Sequence, residues 1–318
     1  MISVYPDRAA DRTRWIRELR GPRNTLDPAV PYAYFVENEI AADGRSVRTG
    51  IILLTNRECP FTCLMCDLWQ NTLTEAVPAG SIAGQIRLAL AAMGPVEQLK
   101  LYNAGSFFDP QAIPPAEDDE IARLVQYYER VIVEAHPAFI GPRCIDFAKR
   151  IGGKLEVAIG LETCHEPTLN LLNKKFKLSD FQRAADLLKT NDIDIRTFLL
   201  VRPPFMSEEE GVEWACKSVD YSFDAGATAC CVIPTRGGNG AMEALAVNGD
   251  FQPPKLRSLE TVHEYGLQLK RGRVFSDLWD IDKFFKCDCH PGVATRLRNM
   301  NDTQTIPATI SCVACGTA

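Results

Sequence analysis

The sequence predicts an α/β protein built around a parallel sheet. From about residue 49 to 270, short β-branched or aliphatic runs alternate with longer amphipathic segments, which is typical of repeated βα units. Of the 318 residues, 46% are hydrophobic and 24% are charged, as in an ordinary soluble globular protein. The length suits one large domain or two ordinary ones, with a sizeable apolar core.

Six strands are predicted, at residues 49–54, 97–102, 130–134, 155–160, 194–201 and 228–233. Two of the intervening helices have recognisable starts. Ser179 opens a segment whose apolar residues share one helical face, namely Phe181, Ala184, Ala185 and Leu188. Ser207 is followed three residues later by Glu210, which predicts a capping box.

The chain is expected to have three parts. Residues 1–45 are rich in Arg, Asp and Pro and indicate an N-terminal extension. Residues 46–252 hold the alternating pattern and form the core. Residues 253–318 lose that pattern and carry their own cysteines, which indicates an appended metal- or cluster-binding region.

The charge balance excludes a global basic field. Lys and Arg number 35 against 41 Asp and Glu, so the net charge is −6. Residues 20–23 (RGPR), with Lys283 and Lys286, offer only a thin basic surface to a nucleic acid. The first 20 residues lack a signal-type apolar core, and no apolar run approaches the ~20 residues of a membrane span. We therefore expect a cytoplasmic protein without a membrane partner.

Three of the 12 cysteines, Cys59, Cys63 and Cys66, lie on the loop that leaves the first predicted strand. The carboxyl ends of such strands are where α/β folds place their active sites. A structural zinc site would want a fourth ligand. In a [4Fe–4S] cluster, three thiolates bind three irons and leave the fourth iron open to another ligand.

The spacing C-x3-C-x2-C after a first strand, followed by five further βα units, resembles the radical S-adenosylmethionine (SAM) superfamily. The resemblance implies a partial (β/α)6 barrel in which SAM chelates the open iron of a [4Fe–4S] cluster. It also implies cleavage of SAM to methionine and a 5′-deoxyadenosyl radical, which abstracts hydrogen from substrate. A one-electron reductant such as flavodoxin or ferredoxin is the implied partner.

Further stretches resemble the radical SAM subunit of archaeosine synthase and, more distantly, the Elongator catalytic subunit: LYNAGSFFDP (101–110), VEAHP (133–137), AIGLET (158–163), NKKFKLSDF (173–181) and IRTFLLVRPPF (195–205). The implied cofactor-binding residues are Met65, Asn103, Ala104, Gly105, Ser106, Glu134, Glu162 and Arg196. Among these, Met65 would pack near the adenine, Glu162 would reach the SAM ribose or amino group, and Arg196 would pair with a carboxylate. Glu162, Arg196 and His136 are the implied catalytic residues.

A second cysteine group lies near the C-terminus. Cys287, Cys289, Cys312 and Cys315 form two close pairs that could grip one ion, and His290 is a spare ligand. Zinc and an auxiliary [4Fe–4S] cluster both suit this spacing. The remaining cysteines, in mostly apolar surroundings, are expected in the core: Cys144, Cys164, Cys216, Cys230 and Cys231.

Three functions remain open on the sequence. The archaeosine resemblance implies cleavage of a lysine-derived side chain from a 7-deazaguanine in tRNA, with a partner protein supplying the modified RNA. The acidic charge equally suits radical chemistry on a small molecule or peptide. A non-enzymatic metal-binding interaction protein is the alternative of another class. The glycine-rich loop 235–243 fits no phosphate-binding motif, and we expect it over the barrel mouth with Arg236 as an anion-binding substrate contact.

Overall fold

The computed structural model describes residues 3–315, and its central feature is one curled sheet that forms a half-barrel. Within these residues the sheet has eight strands, which neighbour one another in chain order. The first pair is antiparallel and every later pair is parallel. The strands are β1 (Ala33–Ile40), β2 (Ser46–Leu54), β3 (Gln98–Asn103), β4 (Arg130–Glu134), β5 (Lys154–Glu162), β6 (Asp194–Val201), β7 (Ala229–Pro234) and β8 (Arg273–Ser276).

The six predicted strands correspond to β2 through β7, which confirms the α/β fold class and the partial barrel. Two strands were not predicted. β1 lies in the stretch expected to precede the core, and its charged residues Glu37 and Glu39 masked its alternation. β8 has only four residues, too few to show a period, and lies in the expected C-terminal region.

Helices cover the convex face of the sheet. In the described part of the chain the helices, on this face and elsewhere, are α1 (Ala9–Glu18), α2 (Ser81–Met93), α3 (Asp118–Val125), α4 (Pro142–Arg150), α5 (Glu166–Leu171), α6 (Leu178–Thr190), α7 (Glu208–Asp224), α8 (Ala241–Asn248), α9 (Leu256–Leu269) and α10 (His290–Thr303). Single 3-10 turns span Leu68–Asn71, Pro115–Glu117, Pro137–Phe139, Ile281–Phe284 and Val313–Cys315. Helix α10 packs against both edge strands, β1 and β8, and so covers the opening between them.

Of the two predicted helix starts, the structure has one as predicted and the other one residue earlier. Ser207 and Glu210 form the predicted capping box at the start of α7. Helix α6 begins at Leu178, one residue before the predicted Ser179, because the carboxylate of Asp180 accepts the backbone N–H of Lys177 at 2.8 Å.

The apolar core has two parts. The larger lies between the sheet and its surrounding helices, where strands β2 to β8 each place buried apolar residues, as Leu99 and Leu101 in β3. The smaller part joins α1 and α8 to the cysteine loop through Leu64 and Met65. Among residues 3–315, no helix combines the length and the apolar character needed to cross a membrane.

Candidate active site

The concave face of the half-barrel has a charged floor and, above it, a part with half-buried aromatic and polar side chains. In β3, Lys100 and Tyr102 point to this face, because Leu99 and Leu101 point to the helices. Lys100 lies near the amino end of the strand, where its ammonium donates to Glu37 Oε1 at 2.7 Å and pairs with Glu39 Oε2 at 2.5 Å. This end is the floor.

The floor is a closed ion-pair network around Glu156 of β5, whose side chain is fully buried. Its two carboxylate oxygens meet Arg196 Nε at 2.6 Å, Arg130 Nη1 at 2.8 Å and Arg273 Nη2 at 2.8 Å. Burial alone would raise the pKa of Glu156, but these three guanidinium groups lower it to about 2. Strands from β1 to β8 are thereby tied together beneath the site.

Above the floor, aromatic and polar side chains line a lumen. The rings of Tyr102 in β3 and Phe198 in β6 meet edge to face with centroids 6.2 Å apart, which requires a contact across the concave face. Glu134 and Cys231 share this face with them, and all four side chains are only half-buried. Burial raises the pKa of Glu134 to about 8. Of the five cysteines expected in the core, Cys231 therefore faces the lumen, while Cys144 and Cys230 are buried.

The cysteine triplet lies at the mouth of this lumen, on the loop after β2. Burial raises the pKa of the Cys59, Cys63 and Cys66 thiols to about 12, 11 and 12. Gly105, after β3, packs directly on this loop, since a Cβ there would lie 3.2 Å from Cys59 Cβ. Within residues 3–315, these three thiols do not form a group with all ligand atoms inside 4.8 Å, as single-ion ligands do.

Segments from distant parts of the chain hold the cysteine loop. Arg20 and Arg23 both bond to Glu58, the residue before Cys59. The predicted basic RGPR surface is therefore engaged inside the protein. Asn239 Nδ2 donates to the carbonyls of Leu64 at 2.7 Å and Cys66 at 3.1 Å.

The contact from the other side comes from the α5–α6 connection. The backbone N–H of Leu64 donates to Leu172 O at 2.9 Å. Asn173 Nδ2 donates to Thr62 O at 2.7 Å. These contacts of the cysteine loop join residues far apart in sequence, so spacing alone could not reveal them.

The stretch after β3 brings four of the expected cofactor-binding residues beside the cysteines. Both amide atoms of buried Asn103 lack a hydrogen-bond partner among residues 3–315. Ala104 is buried. Ser106 Oγ accepts the backbone N–H of His136 at 2.8 Å, so this hydroxyl also fixes the loop after β4.

His136 and Glu162 also lie at the mouth. The His136 ring stacks on Phe61 of the cysteine loop with centroids 3.8 Å apart. Glu162, at the end of β5, accepts a 2.7 Å hydrogen bond from Lys174 Nζ. Lys174 was not assigned from the sequence, although it lies in the NKKFKLSDF stretch. Met65 packs with the smaller apolar core.

Two arginines expected at the site have partners within the chain. Arg196 is 3% exposed and pairs with Glu39 and Glu156, so its guanidinium belongs to the floor. Arg236 donates to Asp277 Oδ2 and to Trp279 O, both at 2.6 Å. Both do bind carboxylates, as a guanidinium fork favours, but these belong to the protein.

Comparisons with known proteins agree with this arrangement. No family model matches the sequence. Archaeosine synthase subunit beta of Methanosarcina acetivorans is 27% identical over 252 residues, covering 75% of this chain and 71% of the relative. An uncharacterized protein of Methanocaldococcus jannaschii is 23% identical over 307 residues, covering 89% of this chain and 84% of the relative.

Two solved structures share the fold. Elp3 of Methanocaldococcus infernus, with an N-terminal deletion, has a TM-score of 0.52 at 15% identity, over 84% of this chain and 66% of that one. A radical SAM methyltransferase from Sphaerobacter thermophilus has a TM-score of 0.50 at 13% identity, over 86% and 82%. The chain therefore shares its half-barrel fold with a radical SAM methyltransferase, and its sequence is similar to that of archaeosine synthase subunit beta.

The C-terminal cysteines gather before and after α10. Cys287 Sγ lies 3.6 Å from Cys312 Sγ and 3.6 Å from Cys289 Sγ, which lies 3.5 Å from Cys315 Sγ. The predicted pairs are thus brought together. His290 Nε2 lies 3.6 Å from Cys315 Sγ.

Proposed function

We propose that this chain is a radical SAM enzyme in which Cys59, Cys63 and Cys66 hold a [4Fe–4S] cluster and the lumen takes the substrate. The observation that carries the proposal is the placement of three half-buried thiols at the mouth of a half-barrel, spread more widely than ligands of one ion. When bound, the cluster and SAM supply a carbon radical that abstracts hydrogen from the substrate. The protein's own residues bind and orient these groups.

Residues around the triplet suit a polar cofactor. The partnerless amide of Asn103 can both donate and accept, and Gly105 lets the backbone approach Cys59. Together with Ala104 and Ser106, we assign them to the methionine end of SAM. Further proposed contacts are Met65, Glu134, His136 and Glu162. Arg196 acts from the floor and supports the lumen.

We propose a nucleoside substrate, the side chain of a 7-deazaguanine in RNA. The named relatives that support it are archaeosine synthase beta subunits, one from Methanosarcina acetivorans and one from Thermococcus kodakarensis. The lumen agrees, since the Tyr102 and Phe198 rings suit a planar base and Glu134 can accept hydrogen bonds from its donor edge. Those relatives are named as subunits, which also supports a partner protein. We assign RNA binding to that partner because this chain is acidic.

The test is anaerobic reconstitution with iron and sulfide, followed by iron analysis and a SAM-cleavage assay under a one-electron reductant. We expect about four irons at the triplet, since three cysteines suit one such cluster, and formation of 5′-deoxyadenosine. Replacement of all three cysteines by alanine should abolish both, whereas Cys216→Ala, on α7, should abolish neither. Zinc uptake without SAM cleavage would contradict the proposal.

The substrate is tested separately. An RNA carrying a lysine-bearing 7-deazaguanine should raise 5′-deoxyadenosine formation and lose its side chain, most strongly when the beta-subunit's partner is added. The unmodified RNA is the control. Stimulation by a free small molecule but by neither RNA would favour the small-molecule alternative, because no RNA contact would then be needed.

We further propose that Cys287, Cys289, Cys312 and Cys315 bind one zinc ion. Three of their Sγ–Sγ separations, at 3.5–3.6 Å, are close to the edge of a ZnS4 tetrahedron, roughly 3.8 Å for Zn–S bonds of about 2.3 Å. Thiolates of a [4Fe–4S] cluster bind different irons and therefore stand further apart.

A ligand atom of His290 lies within 4.8 Å of the sulfurs of Cys287, Cys289 and Cys315, and we assign it as a donor to a thiolate. Its Nδ1 accepts the backbone N–H of Lys286 at 2.9 Å, so in the neutral ring the hydrogen is on Nε2, which faces Cys315 Sγ. A ligating histidine would instead donate from its other nitrogen. Arg257 Nη2 donates to Cys289 Sγ at 3.6 Å in the same way.

Metal analysis in a background lacking the triplet cysteines tests this assignment. We expect one zinc per chain, lost on Cys312→Ala. His290→Ala should keep the zinc with an affinity lowered about 10- to 100-fold, as for other groups that bond to a ligand. Iron at this site, or complete zinc loss in His290→Ala, would overturn it.

A further inference from the structure

A buried lysine lies beside the cysteine triplet. Lys174 is 9% exposed and donates to Glu162 Oε1 at 2.7 Å. Its positive charge is near enough to favour the thiolate forms of Cys59, Cys63 and Cys66. Burial acts to lower the pKa of Lys174, but Glu162 and Cys63 raise it above its ordinary value, so the ammonium stays charged.

The ion pair between Lys174 and Glu162 packs closely against Gly160. A Cβ at Gly160 would lie 2.5 Å from Glu162 Oε1 and 2.7 Å from Lys174 Nζ, so any larger residue there would require the ends of both side chains to shift. Glu162 itself has φ of 67°, a backbone conformation that non-glycine residues rarely adopt. The local chain thus tolerates strain to place the carboxylate against Lys174.

The backbone of Lys174 is fixed to the cysteine loop. His136 Nδ1 accepts the backbone N–H of Ala138, so Nε2 carries the hydrogen and donates to Lys174 O at 2.8 Å. Burial lowers the pKa of His136 to about 4, which keeps this ring neutral. The same ring stacks on Phe61 of the cysteine loop. His136 therefore links the backbone of Lys174 to the cysteine loop.

We propose that Lys174 is a positioning residue that fixes a positive charge beside the [4Fe–4S] cluster and raises its reduction potential, with Glu162 limiting the increase. This inference rests on the proposed function. Reduction takes the cluster from 2+ to 1+ with one electron from the external reductant and no proton. The added negative charge is stabilised by a nearby cation in a low-dielectric interior, so the reduced form gains more than the oxidised form.

The experiment is a potentiometric titration of the reconstituted full-length protein, with the signal of the reduced cluster followed by electron paramagnetic resonance. Lys174→Met should shift the midpoint potential to more negative values, and Lys174→Arg should restore it. Glu162→Gln should shift it to more positive values, since the lysine charge is then less compensated. Lys175→Met is the matched control, because this neighbouring lysine is exposed and bonds to Ala9 O at 3.2 Å.

Opposite shifts in Lys174→Met and Glu162→Gln distinguish a charge effect from general damage. Equal midpoints in wild type and Lys174→Met, or shifts of the same sign in both variants, would overturn the inference while leaving the proposed function intact. If Lys174→Met takes up no cluster, the midpoint potential of Glu162→Gln tests the inference instead. A positive shift supports it, and an unchanged potential overturns it. A wild-type protein without a cluster would overturn both proposals.

Discussion

The floor and the mouth of the half-barrel are both rich in buried polar groups. Neutral side chains with an unpartnered atom among residues 3–315 occur near both, as Gln98 shows at the amino end of β3, but the floor consists mainly of paired charges. At the floor the charged side chains are paired, with three arginines around Glu156 and Lys100 on two carboxylates. At the mouth several buried polar side chains have an atom without a partner among residues 3–315, namely Asn56, Thr62, Asn103, Asp109 and Asn173.

The buried polar groups of the floor and of the mouth therefore serve different purposes. A buried charge without a partner costs several kcal/mol, so the floor can exist only as a complete network. A neutral buried amide without a partner costs about 1–3 kcal/mol, which a protein can tolerate at a few positions. The floor closes the half-barrel, and the mouth keeps hydrogen-bonding capacity for a ligand.

Glu156→Gln should break the floor and give the largest effect. Loss of the central carboxylate leaves Arg196, Arg130 and Arg273 around a neutral amide, so the free energy of unfolding should fall by about 3–5 kcal/mol. Urea unfolding measures it. Asp146→Asn is the control, since its contact with Lys149 is exposed and 4.0 Å long, and it should change stability by less than about 0.5 kcal/mol. Equal effects would refute a structural floor.

Acid should weaken the floor by a smaller amount. The folded pKa of Glu156, about 2, lies below its ordinary value of 4.5. Its contribution is therefore fully present above pH 4.5 and is lost as pH falls towards 2. The difference in unfolding free energy between wild type and Glu156→Gln should shrink by up to about 3 kcal/mol over that window. A difference independent of pH would show that the carboxylate charge does not stabilise the floor.

Sequence reasoning identified the parts of the fold that have a clear period. Strands β2 to β7 are apolar runs bounded by turns, while β1 carries Glu39, which is buried against Lys100 and Arg196. A strand that buries charge is recognisable only when its partners are known. Alternation predicts that Arg196 lies on the concave side of its strand. It does not predict that the side chain lies in the floor and not at the mouth.

The candidate site shows the same limit. The triplet Cys59, Cys63 and Cys66 is local in sequence, so its spacing was readable. Lys174 reaches the triplet from a loop more than 100 residues later, and only the pairing with Glu162 and the room at Gly160 reveal it. Interactions of that sequence separation are set by the fold as a whole.

Asn103→Leu should have the smallest effect on stability and the most selective one on function. Its amide has no partner to lose, so an apolar side chain of similar size should leave the free energy of unfolding unchanged or slightly higher. Affinity for SAM, measured by calorimetric titration of the reconstituted protein, should fall about 10-fold, the equivalent of one lost hydrogen bond.

Asn301→Leu is the reverse control, because its amide exchanges two hydrogen bonds with Ser276 at 2.8 and 2.9 Å, far from the triplet. That variant should lose about 2 kcal/mol of stability with unchanged SAM affinity. A destabilised Asn103→Leu that binds SAM normally would mean that the mouth, like the floor, uses its polar groups for folding.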